Sequence, residues 1–75
     1  MLSDHELNVQ IGQALKDERE RRHYSLDYIA DALGVSHVAV FYWETGRNGI
    51  SAAQLKKYCD VLNITMSDIA RMIRW

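Results

Sequence analysis

The sequence predicts one small all-α domain of five helices, spanning residues 1–75 with a core from about residue 7 to 74. Three observations lead there. The chain has no proline and only four glycines. No stretch alternates apolar and polar residues between turn signals, as a half-buried strand does. Apolar residues recur instead at spacings of three and four, and serine, threonine or glycine stands at most of the places where such a pattern starts or stops.

Composition narrows the class. Apolar residues make up 48% of the chain and charged ones 25%, as in an ordinary globular domain and unlike a disordered one. A chain this short buries a modest core and has little stability to spare. No apolar run reaches the length of a membrane span. The opening MLSDHELNVQ is polar and acidic, which is not a signal peptide. A lone Cys59 excludes an internal disulfide and suits a reducing, cytoplasmic setting. Nine Lys and Arg against ten Asp and Glu give a net charge of −1, so any basic footprint for nucleic acid must come from the placement of charges, not their sum.

Taken in order, residues 1 to about 6 read as a loose lead-in. A first helix is expected over residues 6–22, with Leu7, Ile11, Ala14 and Leu15 on one apolar stripe. The mixed-charge run 17–22 reads mostly as a solvated helix end. Ser25 is an N-cap for a second helix over residues 26–33, whose Ile29, Ala30 and Leu33 face inward. Gly34 closes that helix, Val35 tucks under the turn, and Ser36 caps a third helix over residues 37–44. Ala39, Val40 and Trp43 point inward from the third helix; His37, Val38, Phe41 and Tyr42 point outward. A short helix, a glycine turn and a second helix make a helix-turn-helix unit, whose second helix can enter a major groove. Gly46 ends the third helix. Ser51 and Gln54 have capping-box spacing and open a fourth helix, with Leu55, Tyr58, Cys59 and Leu62 inward. Cys59 is read as a small core residue. Thr65, with Asp68 three residues on, opens a fifth helix carrying Ile69, Met72 and Ile73.

Ile29-Ala30, Leu33-Gly34-Val35-Ser36, Val40 and Trp43-Glu44 with Gly46 resemble the lambda-repressor and Cro-like helix-turn-helix proteins, also called the xenobiotic-response-element family. Ile11-Gly12, Leu15, Arg19, Ser51, Leu62 and Thr65 extend the resemblance over roughly residues 11–70. It implies a compact five-helix lambda-repressor-like fold and a sequence-specific DNA-binding transcriptional regulator, as in the small repressors of phages and mobile elements. It implies too that Arg19 reaches Glu44 as a structural ion pair, and that Arg47 and Asn48 lie where the loop approaches the DNA backbone. Arg22, near the expected path of that backbone, and the caps Ser25 and Ser36 join the expected DNA-binding set with His37, Val38, Phe41 and Tyr42. Tyr24 stands where the family usually has leucine, so its ring is placed in the core. Leu26 is a departure: many members carry a phosphate-binding glutamine there.

The outward face of the third helix is unusual. Sequence readers commonly present Arg, Lys, Gln or Asn; here His37 and the Tyr42 hydroxyl are the hydrogen-bonding groups, and Val38 and Phe41 are apolar. The alternative reading is therefore a helix-turn-helix protein that grips a protein partner, such as a repressor, through that apolar face. Met66, Met72, Ile73 and Trp75 exceed what one small domain is expected to bury and suggest a partner surface, with a homodimer matching a palindromic operator. His5, His23 and His37 are not spaced with Cys59 or carboxylates as metal ligands, and no glycine-rich phosphate loop or nucleophile–base set is present. No enzyme activity, metal or cofactor is expected. The expected location is the cytoplasm of a prokaryotic cell or of a phage-infected host, associated with the nucleoid.

Overall fold

The computed structural model describes residues 1–74 and contains five helices: α1 (Asp4–Arg21), α2 (Leu26–Leu33), α3 (His37–Thr45), α4 (Ala52–Leu62) and α5 (Met66–Met72). The expected loose lead-in is corrected at α1. Ser3 accepts from the Glu6 backbone N–H and the Glu6 carboxylate accepts from Ser3, so a full capping box starts the helix two residues early. Two helix-opening expectations come out differently. Thr65 and Asp68 complete their box. At Ser51 half of one forms: its hydroxyl accepts from the Gln54 N–H, and Gln54 Oε1 is buried without a hydrogen-bond partner among the described residues.

The core is built from the stripes the periodicity marks. Leu15, Ile29, Val40, Tyr58, Cys59, Leu62 and Ile69 are almost wholly removed from water. α1 packs against α3, α4 and α5, while α2 packs against α3 and α4. The closest approach is at Gly12, where a Cβ atom would stand 2.2 Å from the Trp43 carbonyl oxygen and 2.7 Å from that of Glu44. Hydrogen in place of a side chain is what lets α1 lie on the end of α3. Gly34 has a different task. Nothing crowds its Cβ position, but its φ of +70° lies in the left-handed region, which a side chain disfavours. This residue turns the chain from α2 into α3.

Two expectations about side-chain placement change. Glu18 is not on a solvated helix end: it is buried and takes both Arg21 and Arg22 as partners, at 3.2 and 2.7 Å. Tyr24 is only half-buried, and its ring stacks on that of Tyr28 at a centroid distance of 4.5 Å. A phenol ring with its hydroxyl fits a core edge better than a sealed interior.

Candidate nucleic-acid interface

The caps fix where α2 and α3 begin. Ser25 accepts from the Tyr28 N–H and Ser36 from the Ala39 N–H, at 3.0 and 3.1 Å. Each hydroxyl still carries a proton that it can donate outward. α3 turns Val40 into the core and leaves His37, Val38 and Phe41 exposed.

Behind α3 lies a buried polar clamp. Arg19 donates through Nε and Nη2 to the Glu44 carboxylate at 2.8 and 3.0 Å, and through Nη1 to the Tyr24 carbonyl at 2.7 Å. The Tyr58 hydroxyl donates to the same carboxylate. The ion pair implied by the resemblance is thus present, and it is larger than a pair. It joins α1, the linker before α2, the end of α3 and α4. Burial, then the hydrogen bond to Glu44, pushes the Tyr58 phenol far above its ordinary value. The hydrogen bond to Glu44 raises the already high Arg19 value further. All the charge here is committed inward, so the clamp orients α3 and leaves any reading to its outer face.

Around α3 the exposed charges are sparse. The Arg47 guanidinium lies 4.5 Å from the centre of the half-buried Tyr42 ring, a cation–π contact that holds the arginine beside the helix. The Asn48 N–H donates to the Tyr42 carbonyl at 3.2 Å, which fixes the loop on that same residue. Tyr42 therefore serves as a platform for Arg47 and Asn48 rather than a free outward reader. His37 Nδ1 is 3.6 Å from an Asp27 carboxylate oxygen, both side chains being exposed. Arg22 is drawn toward Glu18: it donates to the Glu18 carboxylate and to the Glu18 carbonyl, sharing that carboxylate with Arg21.

Sequence reasoning misses two members of this region. Lys16 on α1 lines a groove with Leu26, Phe41 and Thr45 and adds a cation beside α3. The available signal is its position one turn before Arg19 on the same helix face. Tyr58 is placed inward by period as an apolar residue, and its hydroxyl partner escapes that reasoning because Glu44 lies on another helix.

The partner surface divides. Ile73 is largely buried, at 8% exposure, and its remaining surface lines the same groove as Met66. Met66 lines an apolar groove with Ile11, Leu55 and Ile69. Met72 lines a different, more polar one with Gln10, Gln13 and Arg21. Trp75 lies outside the described residues.

A glycine-closed helix pair held from behind by an interhelical charge clamp, within five helices, defines a lambda-repressor-like helix-turn-helix domain. A family model described as helix-turn-helix matches residues 15–69, and the chain belongs to that family. Membership places it among DNA-binding transcriptional regulators. Two crystal structures of the clp gene regulator ClgR from Corynebacterium glutamicum are similar, each at 27% identity over 88% of this chain; they are covered to 85% and 70%, with TM-scores of 0.84 and 0.86. The restriction-modification controller protein C.AhdI from Aeromonas hydrophila shares the fold at 24% identity and a TM-score of 0.77, over 81% of this chain and 92% of its own. No curated protein matches. No helix among the described residues is long and apolar enough to cross a membrane.

Proposed function

We propose that the chain is a sequence-specific regulator that binds an operator as a homodimer, lays α3 in the major groove, and controls transcription by occluding or adjusting polymerase. The observation that carries this reading is the rigid presentation of α3: its inner side is locked by Arg19, Glu44 and Tyr58, and its N-terminal residues stand free at the surface. Ser25, Ser36, Arg47, Asn48 and the unforeseen Lys16 are the groups suited to phosphate, and His37, Val38 and Phe41 those suited to base edges. Regulation of the kind named for the similar structures, by a restriction-modification controller or a clp gene regulator, is the role this geometry supports.

The dimer would use the groove lined by Ile11, Leu55, Met66 and Ile69, which is apolar and lies away from α3. A rival role in gripping a protein is favoured by the half-exposed apolar Val38 and Phe41.

Titration against pooled duplexes from the neighbouring genome at two salt concentrations separates them. DNA binding should weaken steeply with salt. Arg47→Ala should weaken it on every sequence and lower the salt slope by about one, as expected when a single phosphate is no longer neutralised. A protein-binding surface would show no duplex binding at low salt.

A further inference from the structure

The residues of α3, HVAVFYWET, include no Arg, Lys, Gln or Asn, so the usual bidentate bonds to guanine and adenine cannot come from this helix. Few polar side chains stand on its outer side. The Thr45 hydroxyl donates back to the Phe41 carbonyl at 3.0 Å, Tyr42 lies under Arg47, and His37 faces Asp27. Beside the exposed His37, α3 offers outward Val38, 44% exposed, and Phe41, 49% exposed. They stand three residues apart and so share one face of the helix. Cations flank this apolar pair, with Lys16 in the groove beside Phe41 and Arg47 held beside the helix. That arrangement is complementary to a polyanion carrying apolar groups between its phosphates.

In the major groove the apolar group is the C5 methyl of a pyrimidine. We propose that α3 selects its DNA site chiefly by covering pyrimidine 5-methyl groups with Val38 and Phe41, with phosphate contacts from Lys16 and Arg47 fixing the register. The inference rests on the DNA-binding reading above and names the chemistry that reading would use. Thymine carries the methyl, and 5-methylcytosine presents the same group at the same place. Burial of one such carbon corresponds to about a fourfold gain in affinity.

The test begins with duplexes selected from a random pool by the purified chain. Each thymine of the selected site is then replaced singly by uracil, which lacks only the methyl. At one or more positions uracil should bind about fourfold more weakly. Val38→Ala and Phe41→Ala should each abolish the sensitivity at one position and preserve it at the other; both side chains are half-exposed, and far-UV circular dichroism checks that the variants fold. A purely structural role would weaken thymine and uracil duplexes equally. At the same positions, 5-methylcytosine is compared with cytosine. A matching gain assigns recognition to the methyl on either base, and a gain confined to thymine assigns it to thymine; either retains the proposal. Equal affinity for thymine and uracil duplexes at every position overturns it while leaving DNA binding intact. Absence of duplex binding at low salt overturns the DNA-binding reading and this inference with it.

Discussion

Replacing Arg19 by methionine tests the clamp that orients α3. The substitution keeps an unbranched apolar stem and removes the donors that reach Glu44 at 2.8 and 3.0 Å and the Tyr24 carbonyl at 2.7 Å. Glu44 is 5% exposed. It would keep the Tyr58 hydroxyl and be left without the only charge that faces it in the described network. Leaving one member of a buried ion pair unpaired costs about 3–5 kcal/mol. A domain of this length has roughly 4–11 kcal/mol in total, so the variant should lose about a quarter of its stability or more. Its midpoint should fall by more than about 12 °C. Urea and thermal melts followed by circular dichroism at 222 nm measure both. The combined variant Arg19→Met, Glu44→Leu, Tyr58→Phe removes every member of the clamp and leaves no stranded charge, so it should recover most of the loss. A cost below about 1 kcal/mol for Arg19→Met, typical of exposed pairs, would refute the reasoning. So would a combined variant no more stable than the single one.

Gly12→Ala should destabilise the fold by about 1–3 kcal/mol, because its Cβ would stand 2.2 Å from a backbone oxygen of Trp43 that cannot rotate away; a urea melt reads this. Cys59 is buried and burial raises its thiol above the ordinary value, so a disulfide reagent at neutral pH should label it only at the rate of unfolding. Hydrogen bonds from the Ser3 and Thr65 caps hold Glu6 and Asp68 below their ordinary values of 4.5 and 3.8. A carboxylate depressed by folding stabilises above its unfolded pKa and loses that contribution as pH falls through the folded one. Stability should therefore decline as pH drops below about 4.5, and Glu6→Gln with Asp68→Asn, which removes the titrating groups, should flatten the decline.

The order of the helices is legible because each boundary has a local chemical cause. Ser25, Gly34, Ser36, Ser51 and Thr65 act within one turn of the chain, so spacing alone locates them. Ser3 escapes that reading although its Glu6 partner also lies three residues on, because an acidic, polar opening looks like a tail. The Arg19–Glu44 pair comes from family resemblance, and no local pattern could supply it across 25 residues. Tyr58 illustrates the remaining gap. Its burial follows from helical period, but its hydroxyl bond depends on where α4 crosses the end of α3. Ile73 shows the converse. Counting surplus apolar residues puts it on a partner surface, and the count cannot show that this residue, just past the end of α5, is mostly buried in the monomer while still lining the groove with Met66. The outer face of α3 is legible in identity and not in use: the sequence shows that Tyr42 is outward-facing by period, and the Arg47 side chain folded over its ring makes it a platform.

The most direct test of the central claim, that α3 is the DNA-reading surface, is a nitrogen-15 amide titration of the labelled chain with a selected duplex at low salt. The largest shifts should fall at His37, Val38, Phe41, Arg47 and Asn48, with Met66 and the α4–α5 groove affected far less. Shifts concentrated on that groove, or none on α3 at saturating duplex, would contradict it.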